Sequence, residues 1–312
     1  MYTCPLLLIK GEIILHVDLV YKDLANKVLK YGAQKEDRTD TGTISLFGNQ
    51  IEIDLTEGFA LLTTKRVYWK GVVAETVMFL KGITNLKFLL DQDVDIWTRD
   101  AWKFYLKNKQ FRDNYFFGKK DMTLDEFREY ARVHGFDMGD IYGANWVDFN
   151  REGENQLYQL EYKLIHEPDS RRMKVYSANP AKVDNQTLPP CHDAFQCYVD
   201  GEYIDLLFQM RSSDVFHGLP FNLASYSLIA SILAYRSGYK PRRLIAQLGD
   251  THIYATHLDV INEQLEREPL ELPQLKLSER VKTMASISDI EIEDIELIGY
   301  NPHPSLKAPQ AF

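Results

Sequence analysis

The chain has 312 residues, 45% of them hydrophobic and 12% aromatic, enough to bury one large core. A net charge of −9 opposes wholesale attraction to nucleic acid, so no stable nucleic-acid partner is expected and an anionic ligand must be held by local arginines. Three cysteines, Cys4, Cys191 and Cys197, make no disulfide framework and suggest a reducing compartment.

The apolar run over residues 5–9 is cut short by Lys10, too soon for a secretory signal or a membrane span. The expectation is a soluble protein of the cytoplasm, or of the host cytoplasm for a viral chain, with no membrane partner. Val20, Leu24 and Val28 recur at helical spacing, which predicts a helix over 18–31 with Asp18 at its N-cap and Gly32 as its stop. Next comes Asp37-Arg38-Thr39-Asp40-Thr41-Gly42, either a surface turn or a phosphate loop in which Arg38 makes a charge-assisted contact. Strands are expected over 43–47 and 50–55.

A second helix is expected over 67–80, closed by Gly82. Within it Glu75 stands among Val72, Val73, Val77 and Leu80. Enclosed by them, its carboxyl would have a raised pKa suited to proton transfer near neutrality; on the wet edge it would be an ordinary surface acid. Trp97 and Trp102 flank a polar turn, an arrangement used either for a flat ring-binding pocket or for core packing. Residues 103–138, dense in charge and aromatics, read as a surface insert with a short helix over 124–133, within one domain spanning 1–312. Arg171 and Arg172 are either a solvated face or a phosphate clamp, and both reach one ligand only from a turn.

The centre of the chain is Leu188-Pro189-Pro190-Cys191-His192. Two proline rings fix the backbone leading into Cys191, and nearby positive charge favours the reactive thiolate. Cys191 and His192 are therefore either structural members of a stiff loop or a nucleophile and its neighbour. Beyond them Phe195, Cys197 and Val199 alternate with polar residues, Asp200-Gly201 reads as a hairpin turn, and a return strand over 204–210 is closed by Arg211-Ser212-Ser213-Asp214. Cys197 is read as a core residue. Asn222 precedes a helix expected over 223–236, where its side chain either caps the helix or, as donor and acceptor at once, reads the amide edge of a pyrimidine. His252 and Tyr254 follow Gly249-Asp250, and the C-terminal tail is either disordered or a lid over a site.

Taken together these segments resemble the thymidylate synthase family. The resemblance rests on Asp37-Arg38-Thr39, Leu62-Thr63-Thr64-Lys65, Trp69-Lys70-Gly71 with Glu75, Ile96-Trp97, Tyr142-Gly143, Arg171-Arg172, residues 188–192, Arg211-Ser212 with Asp214, residues 218–226 and 248–254, and the tail from Gly299 with Lys307-Ala308-Pro309. Any one motif is weak; their number and order carry the resemblance, which covers the chain outside the insert. It implies an α+β fold, a mixed sheet flanked by helices, with sheets packed back to back in a homodimer.

It further implies that Cys191 attacks carbon 6 of dUMP, that Arg38, Arg211 and Ser212 grip the phosphate, and that Arg171 and Arg172 reach it from the partner subunit. Asn222 would read the uracil, and His252 and Tyr254 would hold the deoxyribose. Glu75, His192 and Tyr142 would organise proton-carrying waters, with Asp214 also in a catalytic role. The co-substrate 5,10-methylenetetrahydrofolate, with no metal, would lie against Ile96, Trp97, Leu188, Asp214, His217, Gly218, Phe221 and Ala311. The sequence departs from the family at Ala178, Met210, His217 and Gln310. The last two put polar groups where a dry wall is expected, which raises dUMP hydroxymethylation as an alternative product route. A catalytically silent relative that binds nucleotide or RNA is the reading from another class.

Overall fold

The computed structural model describes residues 8–9, 12–13, 16–36, 41–108 and 121–309. A short hairpin, β1 (Leu8–Ile9) and β2 (Glu12–Ile13), precedes helix α1 (Val17–Tyr31) and strands β3 (Ala33–Lys35) and β4 (Thr43–Asp54). Among the described residues the helices that follow are α2 (Trp69–Leu80), α3 (Lys87–Asp91), α4 (Thr98–Lys107), α5 (Leu124–His134), α6 (Tyr142–Val147) and α7 (Gln156–His166). Strands β5 (Lys174–Tyr176), β6 (His192–Asp200) and β7 (Tyr203–Asp214) lead to helix α8 (Gly218–Ser237) and the long strand β8 (Lys240–Tyr254). Helix α9 (Leu258–Glu266), strand β9 (Gln274–Leu277), helix α10 (Arg280–Thr283) and strand β10 (Ile295–Ile298) complete the chain, with β9 and β10 paired antiparallel.

The main sheet has the order β3-β4-β8-β7-β6-β5. Its neighbours are antiparallel except β7 and β8, which run parallel. A parallel pair needs a crossover, and α8 supplies it. Period-two alternation turns Leu206, Phe208 and Met210 of β7 and Leu244, Ala246 and Leu248 of β8 into the core, where Phe208 stacks on Tyr226 of α8 with ring centroids 4.2 Å apart. Helix α8 is apolar on nearly every side because 78% of its most apolar 18-residue window is buried inside the fold; by length and composition alone it would also qualify as a membrane span.

The opposite face of the sheet carries a ladder of side-chain amides. Gln247 donates to Gln50 at 3.1 Å, Gln209 donates to Gln247 at 3.0 Å, and Lys174 donates to Gln209 at 3.3 Å. Tyr198 and Tyr176 stand on this face, 61% and 50% exposed.

Several expectations shift by a few residues, each for a physical reason. The N-cap of α1 is His16, whose Nδ1 accepts from the Asp18 amide at 3.2 Å; Asp18 itself points inward and is fully buried. Gly32 ends the helix without a left-handed turn, at φ −69°. It is glycine because a Cβ there would meet the Val28 carbonyl at 2.5 Å and Ile44 at 2.6 Å. The two expected strands over 43–55 are one, continuous through Gly48 at φ +79°. The hairpin turn falls on Gly201 and Glu202, since Asp200 pairs with Tyr203. Helix α8 begins at Gly218, because Pro220 sits in the first turn, where no amide hydrogen is needed. Asn222 is therefore inside the helix and is not its cap. Helix α4 runs unbroken through Lys103, the expected start of the insert, and α5 carries a capping box of Thr123 with Glu126.

Candidate active site

Cys191 lies immediately before β6, behind the two prolines, half-buried. Its amide donates to the Tyr142 hydroxyl at 2.8 Å. That contact is possible because Gly143 lets α6 lie against the backbone of Phe79 in α2, where a Cβ would meet the Phe79 carbonyl at 2.2 Å. Arg211 comes from β7 next door. Its Nε donates to the Pro190 carbonyl at 2.9 Å and its Nη2 to the Pro189 carbonyl at 3.0 Å, and the same Nη2 stands 3.6 Å from Cys191 Sγ. One guanidinium thus fixes the proline loop and sets a permanent cation beside the thiol, the arrangement that stabilises a thiolate nucleophile.

On the other side of the loop His192 is buried against Tyr142, with ring centroids 4.7 Å apart, and Asn222 Nδ2 lies 2.7 Å from its Nε2. Burial pushes the imidazole down to about 3, so it is neutral at physiological pH. Glu75 is half-buried and lines the adjacent cleft, and its Oε1 accepts from Trp97 Nε1 at 2.7 Å. Burial raises its carboxyl to about 7, with the Trp97 hydrogen bond pulling the other way. Glu75 is therefore enclosed and is not on a wet edge. Trp102 is structural, donating through Nε1 to the Met122 carbonyl at 2.8 Å.

The cleft measures about 1210 Å³. Ile96, Leu188, Asp214, His217, Gly218 and Phe221 all line it, together with Glu75 and Asn222. Trp97 is 6% exposed and packs edge-on against Phe79 and Tyr142 with its indole nitrogen on Glu75. The β7–β8 register sets Ser212 beside Asp250 and Asp214 beside His252, and β4 brings Thr43 opposite Tyr254. The rings of His252 and Tyr254 meet at 5.0 Å.

A family model described as thymidylate synthase matches residues 19–312. The chain belongs to the thymidylate synthase family. It is 40% identical over 295 residues to a thymidylate synthase of Mycoplasma mobile, covering 93% of this chain and 99% of that one. It is 42% identical to one of Mesoplasma florum, covering 92% and 97%, and 38% identical to one of Staphylococcus haemolyticus, covering 94% and 98%. The α+β architecture expected of a family member is the one found.

Not every expected site residue converges. Arg171 and Arg172 lie exposed in the turn between α7 and the edge strand β5, two strands away from Arg211. Arg38, Gln310 and Ala311 lie outside the described residues, although the chain re-enters at Thr41 and Gly42 beside the end of β8, where the Ala255 amide donates to the Gly42 carbonyl at 2.9 Å.

Two residues of this family member escaped the sequence reading. Lys65 is 6% exposed, donates to the Phe216 carbonyl, and is lowered by burial to about 7, with Asp214 opposing the shift. The loop carrying it is shaped by Asp18, which accepts from the amides and hydroxyls of Thr63 and Thr64 at 2.7–3.1 Å. The Thr-Thr-Lys motif was the available signal, but its burial was not. His257 had no local signal at all.

Proposed function

We propose that this family member converts dUMP to dTMP at the expense of 5,10-methylenetetrahydrofolate, acting as a methyltransferase. The observation that carries the reading is the Cys191 thiol with Arg211 at 3.6 Å, beside a cleft that holds a carboxyl titrating near 7. Cys191 adds to carbon 6 of the uracil, and carbon 5 becomes the nucleophile that accepts the new carbon. When bound, the co-substrate supplies that carbon and the hydride that reduces it, and leaves as dihydrofolate. The carbon 5 proton departs to base, and expulsion of the sulfur restores the ring double bond. Glu75, Tyr142 and His192 handle water and protons around the ring, Asp214 with the cleft wall around Ile96, Trp97, Leu188, His217, Gly218 and Phe221 holds the folate, and Asn222 orients the pyrimidine. Arg38, Arg211 and Ser212 bind phosphate, His252 and Tyr254 the sugar, and Ala311 takes part in binding the folate. Cytoplasmic location fits the cysteine usage.

Incubating the purified chain with dUMP and methylenetetrahydrofolate should give dTMP and dihydrofolate in equal amounts by mass spectrometry. Hydroxymethyl-dUMP with tetrahydrofolate would redirect the reading to the hydroxymethyl route, which the similar thymidylate synthases do not favour. No turnover would leave a nucleotide-binding relative.

The active unit is proposed to be a homodimer, with the amide-laddered sheet face against its copy and Arg171 and Arg172 crossing to the partner's phosphate site. The half-exposed face and the distance of both arginines from Arg211 within one chain support this. Cys191→Ala and an Arg171→Ala/Arg172→Ala double variant, each inactive, should regain about a quarter of native activity after mixing and reassociation, because half the dimers then carry one complete site. No recovery in verified mixed dimers would exclude shared sites.

A further inference from the structure

The described tail is held by a series of backbone anchors. The Tyr300 hydroxyl accepts from the Val67 amide and donates to the Leu62 carbonyl, both at 2.9 Å. The His303 amide donates to the Thr63 carbonyl at 2.8 Å, and Arg267 donates to the Pro304 carbonyl at 2.7 Å. The last anchor differs in kind: His257 Nε2 lies 2.7 Å from the Pro309 carbonyl. His257 is fully buried in the short turn after β8, clamped between the rings of Phe216, His217 and Tyr254 at 4.8–5.3 Å, so its nitrogens are fixed in space.

Its other nitrogen, Nδ1, is buried, makes no hydrogen bond, and faces at 3.8 Å Asp214 Oδ1, an oxygen that already accepts from the Phe216 amide at 2.9 Å and the His217 amide at 3.2 Å. Asp214 lines the cleft. Both nitrogens of one imidazole thus look at acceptors, and a neutral ring can donate to only one of them. With the proton on Nε2 the tail carbonyl is satisfied and a lone pair faces the carboxylate. With it on Nδ1 the N–H dipole points at the carboxylate and the tail anchor is lost.

We propose that His257 is a positioning residue that couples engagement of Asp214 by a ligand to seating of the C-terminal segment at Pro309. A donor from the cleft that engages Asp214 weakens the pull of its charge on the Nδ1 proton, so the proton stays on Nε2 and the tail is held. The inference rests on the proposed function only in taking that ligand to be the folate co-substrate.

The test reads the tail directly, by hydrogen exchange at the amides of residues 305–308 in the whole chain. Tetrahydrofolate with dUMP serves as ligand, since it lacks the carbon to be transferred and cannot turn over. In the native chain the ligand should slow tail exchange. In His257→Leu the free chain should exchange about fivefold faster or more, the loss of one neutral hydrogen bond, and the ligand should no longer slow it. His257→Gln keeps a donor for the carbonyl but has no second nitrogen for Asp214; its tail should stay protected yet stop responding to ligand. That variant decides the matter should the leucine variant fail to fold.

In steady-state assays His257→Leu should raise KM for methylenetetrahydrofolate about fivefold with KM for dUMP within twofold, and should add nothing in a chain ending at Ala308. Unchanged tail exchange in a folded leucine variant, a native ligand response in the glutamine variant, or additive effects with the truncation would each overturn the proposal. Altered tail exchange in a chain that makes no dTMP would uphold the coupling and sink the reaction instead.

Discussion

Replacing Cys191 with alanine should reduce turnover by at least about 10⁴-fold, because in the proposed reaction the new bond at carbon 5 depends on prior addition of the Cys191 sulfur at carbon 6. The fold should tolerate the change. The backbone at Cys191 is fixed by Pro189 and Pro190, by its own amide on Tyr142 and by Arg211 on both proline carbonyls, none of which involves the sulfur. Nucleotide affinity should therefore stay within a few-fold, since the groups proposed to bind phosphate and base are untouched. Calorimetric titration with dUMP alongside the product assay separates the two effects. Retained turnover would remove Cys191 as nucleophile, and lost binding would make its role structural.

Changing Glu75 to glutamine should have opposite effects on activity and stability. The native carboxyl is raised from the ordinary value near 4.5 to about 7. Folded protein therefore keeps a proton that the unfolded chain has released, so stability from this group is full below pH 4.5 and is lost as pH rises through 7. The full loss is of the order of 3 kcal/mol. Glutamine has no proton to lose and its oxygen can still accept from Trp97. The variant should thus unfold with nearly native stability at pH 5 but gain up to about 3 kcal/mol over the native chain at pH 8, as read from denaturant midpoints. Its kcat should fall by about 10²–10⁴-fold, with loss of the inflection near pH 7. A native pH profile in this variant would take Glu75 out of proton transfer, and a stability gain equal at pH 5 and 8 would show that burial does not raise its pKa.

The stability cost of a carboxyl with no cationic partner among the described residues, half-buried at a cleft, is what a functional site looks like when local rules are broken. From the sequence, Glu75 had two readings because helical spacing says which residues share a face, not what covers that face. The same holds for Asn222: its two readings separated only when Pro220 proved to lie within the first turn of α8, which moved the cap to His217 and left the amide for His192 and the cleft. Asp18 was legible as a polar start of α1, yet its burial under Thr63 and Thr64 depends on a loop 45 residues away.

By itself the sequence determined the order of motifs that marks the family, the stiff Pro-Pro approach to Cys191, the helical period of α1, and the alternating strands β6 and β7. These are written in residues a few positions apart, through backbone restriction and side-chain period, and so they are readable locally. The tertiary structure alone decided that Arg211 stands beside the sulfur, that Tyr142 takes the Cys191 amide, that Glu75 and Lys65 are driven toward 7, and that His257 touches both Asp214 and the tail. These contacts join positions 20 to 52 residues apart, and the charge shifts arise from removal of water, a property of packing that no short stretch of chain contains.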